Sequence, residues 1–232
     1  MLIRVLKVGL LAGLLAGLAI ALIQQVTTSP LILVAETYEK ALPAAAPAAH
    51  HHDGHVHDEG EGWKPENGLP RFFFTGVASI ATAVGVSFLL IAAMLIAGVP
   101  IDRQRSLGWA LAGFVAAGLA PAAGLAPELP GSAAGDLVAR QIWWVGTALA
   151  TAGALWMFLR AENLWLRLIA IALLLAPHVI GAPHPHEFES KVPAELAAHF
   201  TALSLIVQGL LWTLVGSCVG LLWPRFSPKP QA

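Results

Sequence analysis

The chain has 232 residues, 57% of them hydrophobic and only 12% charged, with a net charge of −1 and a mean hydropathy of +0.71. Water-soluble domains carry roughly a quarter charged residues, so this composition excludes a solvated exterior and makes lipid the solvent. The near-neutral balance also excludes nucleic acid as a partner, because neutralising phosphates needs a basic face.

A helix crosses the hydrocarbon core with about 20 apolar residues, and lipid offers its backbone no outside partner. Six segments meet that condition, and the predicted fold is an all-α integral membrane protein of about six spans forming a single membrane domain over residues 1–232. The first runs from about Val5 to Val26, with Arg4 and Lys7 at its start. Its apolar run exceeds a signal peptide's h-region and leads into Ile-Gln-Gln-Val-Thr-Thr-Ser-Pro, so it reads as a retained anchor. Residues 27–70 form a long His- and acid-rich loop, whose early part from Pro30 to Leu42 extends the first helix or lies along the interface. The second span covers about Phe72 to Val99, the third Leu107 to Leu125 and the fourth Gln141 to Leu159. The fifth, Leu164 to Gly181, is short and carries Arg167 and Pro177. The sixth runs from Ala197 to Trp223 and leaves a tail at 224–232. The one cysteine, Cys218, sits in an apolar run and reads as a small packing residue.

Lys and Arg accumulate on the cytoplasmic side of membrane proteins. With the N-terminus inside and six crossings, the inner segments hold Arg4, Lys7, Arg103, Arg105, Arg160, Arg167, Arg225 and Lys229 against two acids, Asp102 and Glu162. The outer segments hold five basic residues and the other twelve acids. Trp109, Trp156, Trp165 and Trp223 fall at inner boundaries, and Trp143 and Trp144 at an outer one, as interfacial belts require. Both termini are therefore expected in the cytoplasm. All nine histidines then lie outside or in the outer part of a span.

Glycines recur at helical spacing: Gly9, Gly13 and Gly17 in the first span, Gly108, Gly113 and Gly118 in the third, Gly209, Gly216 and Gly220 in the sixth. Small residues let helix backbones approach closely where lipid supplies no hydrophobic drive to association. Close packing is the first reading, and a glycine-lined pore the second.

Three clusters carry possible chemistry. The outer loop contains His50, His51, His52, Asp53, His55, His57 and Asp58, followed by Glu59 and Glu61. Neutral imidazole binds divalent transition metals, and carboxylates add charge and oxygen ligands. The tract reads as a collector with interchangeable ligands rather than one rigid site. A second cluster surrounds the outer end of the fifth span: His178 after Pro177, then His184, His186 and Glu187 on a proline-stiffened turn. Glu195 and His199 follow on adjacent turns of the sixth span. The bland reading is polar helix ends; the sharper one is a specific metal site. The third cluster lies in Ala120-Pro-Ala-Ala-Gly-Leu-Ala-Pro-Glu-Leu-Pro-Gly-Ser, a proline- and glycine-shaped non-helical connection. Glu128 is its candidate ligand or gate, and Arg140 a candidate partner of Asp136.

The glycine-rich first span ending Ile23-Gln24-Gln25, the histidine loop, Glu128-Leu-Pro-Gly, Arg140-Gln-Ile-Trp-Trp, Pro177-His-Val-Ile-Gly-Ala-Pro-His-Pro and Pro193-Ala-Glu-Leu together resemble the CbtA family of cobalt transporters over nearly the whole chain. The resemblance implies a permease of the bacterial cytoplasmic (inner) membrane, importing cobalt and working with a small single-span, histidine-bearing partner subunit (CbtB-like). Cobalt is the expected cargo, with nickel or zinc also compatible with nitrogen and oxygen ligands. No resident cofactor is expected.

The leading expectation is thus a permease subunit for divalent metal uptake. No G-x-x-x-x-G-K-[ST] run is present, so nucleotide hydrolysis by a P-loop is excluded. A negative-inside potential favours cation entry by about 2.3 kcal/mol per charge per 100 mV. The alternative is an extracytoplasmic sensor or scaffold that binds metal without conducting it. A membrane metallohydrolase is remoter, because His186-Glu-Phe-Glu-Ser190 puts serine where a zincin needs its second histidine. No carboxylate falls near the middle of any span, and the sequence offers the conduction path nothing beyond scattered amides and hydroxyls.

Overall fold

The structure is a computed structural model that describes residues 1–40, 65–133, 135–185 and 190–226, the side chains of residues 39 and 40 excepted. Every regular element among them is helical: α1 (Leu2–Val26), α2 (Thr28–Lys40), α3 (Leu69–Ile96), α4 (Arg103–Phe114), a π turn (Val115–Leu119), α5 (Ala120–Ala122), α6 (Leu137–Arg160), α7 (Leu164–Ile180) and α8 (Ala194–Arg225). The helices α1, α3, α6 and α8 are long and apolar enough to cross a membrane, and α7 is an apolar helix of 17 residues. The protein is an all-α, multi-pass membrane protein. The third expected span is composite: α4, the π turn and α5 follow one another without a gap.

Pro121 explains that break. A proline inside a helix has no N–H to give the carbonyl four residues back, here that of Ala117, and its ring clashes with that carbonyl. The helix accommodates the lesion by a π turn, in which the Ala120 N–H reaches back to the Val115 carbonyl, as π-bulges commonly do where a helix is perturbed. Helix continues through Ala122, so the non-helical connection starts later than the proline-rich sequence suggests. Residues 28–40 are helical too, but not as a continuation of α1. Thr27 leaves helical geometry at φ −118°, ψ −81°, its hydroxyl donates to the Ile23 carbonyl at 2.7 Å, and α2 begins anew.

The core is a bundle of α1, α3, α4 and α8. One face of α1, including Val8, Gly9, Ala12, Gly13, Ala16 and Gly17, is buried, while Leu10, Leu14, Leu18 and Leu22 stay exposed, the disposition of a helix facing lipid on its far side. At Gly13 an added Cβ would lie 2.4 Å from Val84 Cα, and at Gly17 2.5 Å from Ile80 Cα. Gly216 and Gly220 of α8 also meet the α4 backbone, 2.9 Å from Ser106 O and 2.6 Å from Arg103 Cα. These glycines are contact surfaces between backbones. Polar stitches add to them: the Ser87 hydroxyl donates to the Gly9 carbonyl at 2.6 Å, and Ser79 donates to Gln24 Oε1 at 2.7 Å.

The helices α6 and α7 form a hairpin beside this bundle. Among the described residues α7 packs only on α6, and α6 reaches the bundle through α4, the π turn and α5. The ends alternate as six crossings require. Arg4 donates to the Trp223 carbonyl at 2.6 Å and stacks on the Trp223 ring at 4.0 Å. Trp109 meets Trp156 edge-on at 5.9 Å, and Arg160 lies over Trp156 at 3.8 Å. The starts of α1 and α4 and the ends of α6 and α8 therefore share one rim, and it is rich in arginine and tryptophan.

Candidate functional site

The opposite rim is built from the end of α2, the loop before α6, the loop after α7 and the start of α8. A small apolar cluster of Ala35, Leu129, Val192 and Phe200 holds it together, with Leu31, Ile32, Leu196 and Ala197 packed against it. Arg71, at the start of α3, makes a two-pronged ion pair with Glu36 of α2, which fixes α2 over this end. The Lys191 N–H donates to the Gly131 carbonyl at 3.3 Å, and the Thr201 hydroxyl to the Pro127 carbonyl at 3.0 Å. These bonds tie the two loops and α8 into one cap.

The described candidate ligands all belong to this rim. His178 is half-buried near the end of α7, with its ring edge-on to Trp143 at 5.9 Å. The indole N–H of Trp143 donates to the Pro177 carbonyl at 3.2 Å. Pro177 itself cannot donate to the carbonyl of Leu173, four residues back. The backbone of Pro183 and His184 lies against Gly135, where a Cβ would come within 3.1 Å of the His184 carbonyl oxygen; the His184 side chain is exposed. Glu195 and His199 are exposed on the first turns of α8.

Glu128 is paired with Arg140 at 2.6 Å. This corrects the expected pairing of Arg140 with Asp136, whose carboxylate instead caps α6 by accepting from the Ala139 N–H at 2.8 Å. An aspartate at a helix N-cap satisfies an otherwise orphaned N–H, and that local bond wins over a four-residue salt bridge. A shallow recess of about 300 Å³ beside this pair is lined by Leu125, Leu137, Arg140, Gln141, Trp144 and Val145.

Among the described residues no three of His, Cys, Asp and Glu come together as a ligand set. His50, His51, His52, Asp53, His55, His57 and Asp58 lie outside the described residues, as do His186 and Glu187, which the sequence groups with His178 and His184.

Sequence reasoning passed over Thr147 and Thr151. Both are fully buried in α6, and neither hydroxyl has a hydrogen-bond partner. Their four-residue spacing on a helix of lipid-exposed neighbours was the available signal.

No curated protein and no solved structure matches the chain. A family model described as a probable cobalt transporter subunit (CbtA) matches residues 2–224, and the chain belongs to that family.

Proposed function

We propose that this chain is the membrane-embedded permease component of a system that imports a divalent transition-metal ion, cobalt foremost, across a bacterial cytoplasmic membrane. The family match over residues 2–224 carries the reading. Transport rather than catalysis is the family's function, and membership of a multi-part transporter implies a further component; in this reading that component is a small single-span protein with histidines of its own.

The charge distribution supports uptake as the direction. The rim with Arg4, Arg103, Arg105, Arg160 and Arg225 faces the cytoplasm by the positive-inside rule. The rim bearing His178, His184 and His199 then faces outward. In this reading the loop of residues 50–58 collects cations, His178 and its neighbours strip part of their hydration, and the membrane potential drives entry. Glu128 serves first as the partner that holds Arg140, whose positive charge would otherwise repel a cation near the recess.

Radiocobalt uptake into proteoliposomes, with and without the partner component, tests the proposal. Filling of vesicles by the wild-type chain, reduced by His178→Ala at every cobalt concentration, is the expected result. Cobalt retained by the protein without entry into the lumen would support a sensor or scaffold instead.

A further inference from the structure

The glycine seams leave no room for an ion, because α1 meets α3, and α8 meets α4, backbone against backbone. The unpartnered polar groups of the membrane interior lie elsewhere. Thr147 is ten residues from the start of α6 and Thr151 nine from its end, which puts Thr147 about 15 Å from the first end and Thr151 about 14 Å from the second at 1.5 Å per residue. They follow Trp143 at four-residue intervals, so all three share one face, and Trp143 touches His178 at the outer rim.

The helix that flanks this face is interrupted at the same depth. Contacts between α4–α5 and α6 run antiparallel from Trp109 with Trp156 to Gly124 with Trp143. Counting inward from both brings Ala117, in the middle of the π turn, level with the interval between Thr147 and Thr151. Ala117 is the residue whose carbonyl Pro121 deprives of its α-helical donor. In membranes such carbonyls are commonly repaired by a neighbouring hydroxyl. Neither threonine makes that repair, since both hydroxyls are without any partner within hydrogen-bond distance.

We infer that Thr147 and Thr151, with the carbonyl of Ala117, form a mid-membrane oxygen-donor site that a partly dehydrated divalent cation occupies in transit. The inference deepens the transport reading and rests on it. Each oxygen replaces a water of the hydration shell. All three donors are neutral, so the ion is held weakly enough to leave, as conduction requires. Trp143, held by the Pro177 carbonyl, stands between His178 and this site as the outer barrier.

The test compares wild type, Thr147→Val/Thr151→Val and Thr147→Ser/Thr151→Ser in radiocobalt uptake by proteoliposomes, with cobalt binding to the outer face measured in parallel. Valine keeps the shape and removes both hydroxyls; serine keeps the hydroxyls. The expected result is a loss of about tenfold or more in flux for the valine pair, the factor that about 1.4 kcal/mol of barrier gives. Outer binding should be unchanged, and the serine pair should conduct. Monodisperse protein with wild-type helicity is required of each variant, and the serine pair remains decisive if the valine pair does not assemble: its failure to conduct when folded overturns the site. Wild-type flux from the valine pair also overturns the site while leaving transport intact. No flux from the wild-type chain with its partner overturns the transport reading itself.

Discussion

Replacing Gly13 by alanine puts a methyl carbon 2.4 Å from Val84 Cα, 2.5 Å from Val84 Cγ2 and 2.6 Å from Val84 N. Ordinary contact begins near 3.4 Å, so α1 and α3 must separate locally by about 1 Å. No rotamer change can relieve this, because two of the three atoms are backbone. Overpacking of this kind costs about 1–3 kcal/mol, and an immovable obstacle favours the upper half of that range. Alanine also gains up to about 1 kcal/mol of helix propensity over glycine, which partly hides the effect. Gly146→Ala removes that ambiguity: Gly146 is in the middle of α6 with nothing within 4 Å of its ideal Cβ, so it gains the same propensity without the clash. The difference between the two variants therefore reports the steric cost alone. Reversible unfolding in mixed detergent micelles, followed by helicity, should place Gly13→Ala below Gly146→Ala by about 1–3 kcal/mol. Equal unfolding midpoints would refute the claim that α1 and α3 touch through this glycine.

Two further outcomes follow from the outer rim. Removing residues 50–57 should raise the cobalt concentration for half-maximal uptake and spare the maximal flux; flux abolished at saturating cobalt would defeat the collector role. Lowering the pH from about 7.5 to about 5 should weaken cobalt retention by the intact chain, because protonated imidazole has no lone pair to ligate a metal. Equal retention at the two values would rule out histidine as the main ligand.

The long elements were legible because one signal dominates each. Apolar runs delimit α1, α3, α6 and α8 to within a few residues, and even the short fifth span ends at Ile180, beside the expected Gly181. Glycine spacing announced the α1–α3 and α4–α8 contacts, since only a missing Cβ permits them. What the sequence hides depends on competition between partners. Asp136 can pair with Arg140 or cap its own helix, and only three-dimensional placement brings Glu128 within 2.6 Å of that arginine. Pro121 looks like a loop former, yet the helix absorbs it as a π turn and continues through Ala122. Thr147 and Thr151 look like ordinary hydroxyls in an apolar run, because whether a threonine bonds its own helix, a neighbour or nothing is not written in its spacing. The histidines of this rim were readable as a group, but their placement was not: His178 comes to rest against Trp143, while His184 and His199 stay exposed, an outcome set by loops whose path no periodicity encodes.

The order in which the helices appear along the chain has a consequence for biosynthesis. The α8 helix packs against α1, α2, α3, α4 and the π turn, yet it is the last to leave the ribosome. Until it inserts, α1 and α3 can zip together through their glycines, while α4 waits with Gly113 and Gly118 unmet and the Arg4 guanidinium has no Trp223 to rest on. The keystone of the bundle is thus its final delivery, so a nascent chain released before residue 194 forfeits both the seam on α4 and the fastening of its own first turn.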